Sequence, residues 1–367
     1  MPKVSVVIPS YNHAKFINLT IQSVLDQSFQ DFEILITDDG SSDGTPDVVR
    51  TFRDPRIELD VFPANRGACV AMNSAIARAR GEYIAVLNSD DCFLAGKLKK
   101  QVAILDRHSE LAAVFSRALI IDERGSPLPS HPLNKVFGQN FSGRAQWLRS
   151  FFYNGNSLCH PTILIRRSCY DELGPYDPRL RQLPDFDYWV RFCSRFDHQV
   201  IPEQLTAFRI LDDSRNVSAE RPDTIAATMW EFRHVLPHYL ALDDELFGDI
   251  FKKEIADLNL ANRDRRVQLG YLTLGAAYPS HHAYGLDLLY DAVTLMLPGI
   301  TARELNTLSG KYDPYGATTK QALIAIKKST FWRMTKPARR AVQQARTLLQ
   351  KVKTRRKKSH APDSFVQ

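Results

Sequence analysis

From Val4 to Leu105 the chain switches repeatedly between two hydrophobic periods, and few folds accommodate that. Val4–Ile8, Glu33–Thr37, Arg56–Val61 and Tyr83–Leu87 are short apolar or β-branched runs that read as strands. Between them Ala14–Gln27, Asp47–Phe52, Ala68–Ala79 and Lys97–Leu105 place apolar residues at helical spacing. Strand and helix in strict turn predict an α/β, Rossmann-like parallel sheet covered by helices, because each parallel return needs a crossover. Such sheets bind nucleotides outside the carboxyl ends of their strands. The residues that follow each strand are therefore where chemistry is expected.

Three of those strand ends carry unusual residues. The first runs into Pro9-Ser10-Tyr11-Asn12, which offers a ring for a flat ligand to stack on, although a turn with Tyr11 capping the core reads as well. The second ends in Asp38-Asp39-Gly40-Ser41-Ser42-Asp43-Gly44-Thr45. Asp43 is a ready N-cap for the next helix, but capping leaves the Asp38-Asp39 pair unexplained. A carboxylate there can accept the imide proton of a uracil. The third strand ends in Asn88-Ser89-Asp90-Asp91. Adjacent carboxylates repel and raise each other's pKa unless a cation neutralises them. With oxygen ligands alone that cation would be Mg²⁺ or Mn²⁺, and its use would be to stabilise a departing diphosphate.

Val4–Asn12, Gln27-Ser28-Phe29, Asp38–Thr45, Asn65-Arg66-Gly67, Gly81–Ile84 and Asn88–Asp91 resemble, in order and spacing, a large family of inverting glycosyltransferases. That family includes cellulose, chitin and hyaluronan synthases and bacterial surface-polysaccharide transferases, and the resemblance extends from residue 3 to about 215. It implies a GT-A fold, a nucleotide-sugar donor such as a UDP-sugar, a divalent metal, and a carbohydrate or lipid-linked acceptor. It further implies that Pro9 and Tyr11 border the base, Asp39 binds its imide edge, Asp90 lies near ribose and diphosphate, and Asp91 holds the metal with Asp90 beside it. Many members have Asp where this chain has Asn88, which weakens the expected metal site.

Farther on, Cys159-His160-Pro161-Thr162 and Leu183–Trp189 look like the family's acceptor half. Members commonly carry Glu-Asp there, the second acid acting as general base. Here Pro184 replaces the Glu and Asp185 remains, so Asp185 is the expected base; an N-cap role is the plainer reading. Asp187 and His160 are possible acceptor or donor contacts, though each is as readily structural. Phe208-Arg209-Ile210-Leu211 resembles a stretch that usually has Arg and then His, and Arg209 is expected to pair with the diphosphate.

The expected organisation is a transferase domain over 1–222, divided into a nucleotide-sugar half, 1–110, and an acceptor half, 111–222. A mainly helical region over 223–336 and a basic amphipathic tail over 337–367 follow. Within the acceptor half Ala112–Phe115, Thr162–Arg166, Gln199–Ile201 and Thr206–Ile210 read as strands; Ala226–Leu236, Leu246–Leu258 and Leu286–Met296 read as helices beyond it. Residues 320–367 hold 14 Lys/Arg against one acid, while the rest of the chain is net acidic. From Ala338 to Val352 apolar residues recur every three or four positions among those bases. Such a helix can lie on an anionic membrane, pack on the body, or bind a partner. Nucleic acid is not an expected partner, since no recognition motif accompanies the charge.

No secretory signal or apolar run of eighteen residues is readable, and five scattered cysteines form no Cys-x-x-Cys pair. The expectation is a cytoplasmic enzyme, peripheral on the inner face of the cell membrane through its tail. Two other readings stay open. A nucleotidyltransferase would use a similar sheet, but residues 8–15 lack the glycines of its phosphate loop. A non-catalytic carbohydrate-binding or scaffold relative could keep the fold; Asn88 and Pro184 allow it, whereas Asp39, Asp90, Asp91 and Asp185 count against it.

Overall fold

The computed structural model describes residues 1–211 and 221–312. One eight-stranded sheet runs through it in the order β3-β2-β1-β4-β7-β6-β8-β5. Strands β1 (Val4–Ser10), β2 (Phe32–Asp38), β3 (Ile57–Val61) and β4 (Tyr83–Val86) are mutually parallel. Val4, Val6, Val7 and Ile8 are fully buried in β1, as a strand covered on both faces requires. The other half of the sheet is mixed. Strand β7 (Leu164–Arg166) runs antiparallel to both β4 and β6 (Leu111–Ile121), β6 lies parallel to β8 (Asp197–Arg209), and β5 (Cys92–Phe93) closes the far edge.

Helices α1 (Ile17–Leu25), α2 (Thr45–Arg50), α3 (Ala68–Arg78) and α4 (Lys97–Arg107) are the expected crossovers. Ile17, Ile21, Val24, Leu98 and Val102 pack on one face of the sheet. The other face is covered by α3 and by later helices through a larger cluster, which includes Met72, Trp147, Phe151, Phe186, Trp189, Phe232 and Phe251. Those later helices are α6 (Gly143–Asn154), α7 (Ser168–Leu173), α8 (Pro184–Cys193), α9 (Pro222–Val235), α10 (Asp244–Asp257), α11 (Arg265–Leu274) and α12 (Pro279–Thr294), while α5 (Leu133–Val136) and α13 (Ala302–Lys311) pack against smaller clusters.

Two departures from the sequence reading have physical causes. The short strands expected at Gln199–Ile201 and Thr206–Ile210 are one strand, β8. Its register against β6 jumps from Ser116↔Ile201 to Arg117↔Gln204, so Pro202-Glu203 bulges out where a proline cannot donate to the ladder. The last expected helix begins seven residues early: Pro279 occupies the first turn of α12, where its missing N–H costs nothing. The basic tail, with the 313–336 stretch before it, lies outside the described residues.

Helices α11 and α12 touch through glycines. A Cβ on Gly285 would collide with Thr273 Oγ1 and stand 2.8 Å from the Gly270 carbonyl oxygen. Gly285→Ala should therefore lower stability by about 1–3 kcal/mol, the usual cost of overpacking, in urea unfolding. An unchanged midpoint would show that the helices can part freely.

Candidate active site

The carboxyl ends of β1, β2 and β4 form one edge, and the chain spends its buried acids there unequally. Asp38 is fully buried. It accepts hydrogen bonds from Ser10 Oγ (2.8 Å), Ser41 N (2.8 Å) and Ser41 Oγ (2.7 Å), which folds the Gly40–Gly44 loop back on the end of β1. Asp43 accepts the Thr45 and Ala14 amides at 3.0 and 2.9 Å, tying that loop to the start of the first crossover. Asp39 is 2% exposed, and its two oxygens accept the amides of Arg66 (2.6 Å) and Gly67 (2.9 Å). Each oxygen keeps one lone pair for a ligand. Pro9 pairs with Thr37 inside the sheet, whereas Tyr11 is 45% exposed beyond it.

After β4 the two adjacent acids part company. Asp91 accepts the Arg209 backbone N–H and the Asn88 side-chain amide, both at 2.8 Å. The Thr20 hydroxyl sits 2.8 and 3.0 Å from the Asp91 and Ser89 carbonyl oxygens, fixing the turn to α1. Asp90 is also buried, yet among the described residues its carboxylate receives no hydrogen bond from another residue. Burial raises the pKa of Asp90, and His13 and Arg209 oppose the rise; burial and then repulsion from Asp90 push that of Asp91 well up. A buried acid pair in this state favours a cation.

Arg209 is 4% exposed and faces Phe16 at 5.1 Å. It donates to the main-chain carbonyls of Asp90 (2.8 Å), Asp122 (3.3 Å) and Glu123 (3.1 Å). Its charge therefore shapes the Asp90 turn from behind.

The second half of the site hangs on the N-terminus of α8. Asp185 sits in its first turn, accepting the Asn156 side-chain amide and the Phe186 N–H at 2.8 Å each. Part of its surface is open, but enough protein surrounds the carboxyl to raise its pKa to about 6, through desolvation. Glu231 of α9, 3% exposed, accepts the three consecutive amides of Arg181 (2.9 Å), Gln182 (2.7 Å) and Leu183 (2.8 Å) that lead into α8. Asp187 faces away: its oxygens bind Arg191 Nε at 2.9 Å and His238 Nε2 at 2.7 Å, which locks α8 to the helical region.

His160 binds the Tyr176 hydroxyl at 2.8 Å and is held neutral, its pKa lowered to about 4 by burial. The turn that carries it is pinned from below, since the fully buried Lys97 donates to the Thr162 carbonyl at 2.7 Å. The thiol of Cys159, next to His160, is pushed up by burial and by the charges of both Asp91 and Asp185. At the start of α3, Cys69 Sγ donates to the Leu180 carbonyl at 3.3 Å, which ties the loop leading to α8 to the nucleotide-sugar half.

The structure places Tyr11, Asp39, Asp90 and Asp91 beyond the carboxyl ends of β1, β2 and β4, Asp185 in the first turn of α8 and His160 against Tyr176, and it leaves Asp187 in the framework. Asn156, Glu231 and Lys97 went unread. For Glu231 and Lys97 a signal existed: each is a charged residue on a helix face otherwise given to the core. Among the described residues no three His, Cys, Asp or Glu side chains gather as a metal site. The oxygen-only chemistry of Asp90 and Asp91 suits a hard cation, provided a bound ligand supplies the remaining oxygens.

Residues 5–174 match the Glycosyl transferase family 2 model. Over 200 residues the chain is 32% identical to the putative glycosyltransferase EpsE of Bacillus subtilis, covering 52% of this chain and 66% of that one. It is 42% identical over 129 residues to the putative teichuronic acid biosynthesis glycosyltransferase TuaG of Bacillus subtilis, covering 35% of this chain and 51% of that one. It is also 42% identical over 102 residues to WfgD of Escherichia coli, a UDP-Glc:alpha-D-GlcNAc-diphosphoundecaprenol beta-1,3-glucosyltransferase, covering 28% and 40% respectively. The alignments thus span between two-fifths and two-thirds of these relatives. Among solved structures, residues 1–349 of S. aureus TarS in complex with UDP-GlcNAc share the fold at a TM-score of 0.57 and 17% identity, covering 85% of this chain and 89% of that one.

Glu231→Ala would strand three buried amides at the head of α8. It should cost about 3 kcal/mol of stability in urea unfolding, whereas Asp47→Ala, which removes an exposed pair with Arg50, should change it by less than about 0.5 kcal/mol. Equal effects would remove Glu231 from the framework of the site.

Proposed function

We propose that this chain, whose residues 5–174 match the Glycosyl transferase family 2 model, is a GT-A transferase that moves a sugar, with inversion, from a UDP-sugar to a saccharide or lipid-linked acceptor during surface-polysaccharide synthesis. The observation that carries this reading is the placement of Asp185 in the first turn of α8, held by the Asn156 side chain and partly open, while the loop leading to that helix is bonded to the start of α3 beside the loop that Asp39 fixes. The names of TuaG and WfgD support the polysaccharide setting and the lipid-linked acceptor.

In this reading Tyr11 stacks on the base beside Pro9, and the remaining lone pairs of Asp39 accept its imide proton. The exposed ring and the loop fixed by Asp39 support both roles. Asp185 takes the proton of an acceptor hydroxyl as that oxygen bonds to the anomeric carbon and the bond to the diphosphate breaks. One carboxylate on the side opposite the leaving group suffices for a single displacement, which inverts the anomer. His160, neutral and hydrogen-bonded to Tyr176, is placed to orient the acceptor.

A divalent cation, Mn²⁺ or Mg²⁺, would stabilise charge on the departing diphosphate. We assign it chiefly to Asp90, whose carboxylate is unspent, with Asp91 fixing the turn through Asn88 and Arg209. Arg209 supplies charge behind the diphosphate. The transferase unit over 1–222 and its helical region work together, since Glu231 and His238 hold α8 from beyond the boundary. No described helix is long and apolar enough to cross a membrane; attachment to the inner face of the cell membrane is assigned to the basic tail.

Asp185 must be ionised to act, and its pKa is raised to about 6. The value of kcat/KM should therefore fall about tenfold per pH unit below that point and level off above it. Asp185→Asn should lower kcat by about 10² to 10⁴ and abolish this acid limb. A wild-type rate in the variant, or an unchanged profile, would clear Asp185 of the role.

The two acids should also separate experimentally. Asp90→Asn should abolish Mn²⁺ binding measured by calorimetry in the presence of UDP while unfolding near the wild-type midpoint. Asp91→Ala should lower the midpoint, because it frees the Arg209 amide and the Asn88 side chain. The reverse pattern would return the metal to Asp91.

A further inference from the structure

On the helical region, a groove of about 400 Å³ opens between α9 and α12, a size within the usual range for small-molecule sites. Its wall holds an anomaly. Trp147 and Trp189 are buried, but Trp230 is 56% exposed, leaving apolar surface in water that no described residue covers. The indole is nonetheless oriented, since the His234 ring packs against it in an edge arrangement with centroids 4.3 Å apart.

Around this plate stand groups of both hydrogen-bonding kinds. Arg233 pairs with Asp287, presenting a donor and an acceptor together. Asp291 lies one turn beyond Asp287 on α12, and among the described residues neither its carboxylate nor the Tyr284 hydroxyl has a hydrogen-bond partner. An oriented aromatic face flanked by unspent donors and acceptors suits a polyol with one C–H-lined face. A purely basic ligand fits less well, because Asp287 is already neutralised and Arg233 would repel it.

The groove is also joined to the acceptor half. Glu231 follows Trp230 on α9, and it accepts the amides that lead into the helix bearing Asp185. We propose that the groove binds a saccharide of the acceptor, at a unit removed from the hydroxyl that reacts. This deepens the transferase reading and rests on it. The site holds an acceptor chain through Trp230 stacking and Asp291 hydrogen bonds, so a longer acceptor is retained where a monosaccharide is not.

Calorimetric titration of the full chain with cellohexaose, maltohexaose and chitohexaose tests this. At least one should bind, and Trp230→Ala and Asp291→Ala should each weaken that binding at least tenfold while the corresponding monosaccharide binds neither variant nor wild type at this site. Binding of none of the three, or equal binding by Trp230→Ala, would overturn the proposal. So would an indole shielded from acrylamide at low salt and released by high salt without sugar, judged by the difference between the full chain and Trp230→Phe. That result would mean a basic segment occupies the face. Hydrolysis of UDP-sugars by the wild type in the same preparation reports the transferase reading separately.

Discussion

Ionised carboxylates taken out of water cost several kcal/mol each unless donors replace the lost hydration, and this protein replaces it largely with its own main chain. Asp39 takes two consecutive amides, Glu231 takes three, and Asp91 takes the Arg209 amide from the far end of β8. Each such bond joins segments distant in sequence. The loop before α3, the loop before α8 and the last residue of β8 are thereby set against the carboxyl edge of the sheet. The acids that look like a functional cluster are, in good part, what closes the fold around the cleft.

That economy makes the exceptions informative. Asp90 is buried without a donor from any other described residue, and Asp185 retains an open surface and a raised pKa. Asp90, a buried acid left unsatisfied, needs a ligand or a proton, whereas Asp185 has two donors but is desolvated. In the proposed reading Asp90 takes a cation brought with a diphosphate, and Asp185 takes a proton from a hydroxyl. Arg209 and Lys97 carry the opposite lesson, for both are buried basic side chains that donate to main-chain carbonyls of the framework, and Lys97 also to the Gln101 side chain.

The parallel half of the sheet was legible because β1, β2 and β4 are largely apolar runs, β3 alternates apolar and acidic residues, and the crossovers keep a clear helical period. The acceptor half was not, since β8 is interrupted by Pro202-Glu203 and hides as two fragments. Helix α6 was missed although Trp147, Leu148, Phe151 and Phe152 repeat at helical spacing. Of the site, the strand-end acids and Asp185 could be picked from residue type and resemblance. Which of them keeps a free carboxylate could not, because that depends on amides contributed by Arg66, Arg209 and other residues far away in the chain. Asp187, two positions from Asp185, is turned by the helix toward Arg191 and His238.

In the proposed mechanism Asp185 is the base in a single displacement at the anomeric carbon. The most direct measurement is proton NMR of the first-formed product while the full chain, with Mn²⁺, consumes a UDP-sugar of known anomeric configuration. The product should have the anomeric configuration opposite to the donor's; one that keeps the donor's configuration would rule out the single displacement.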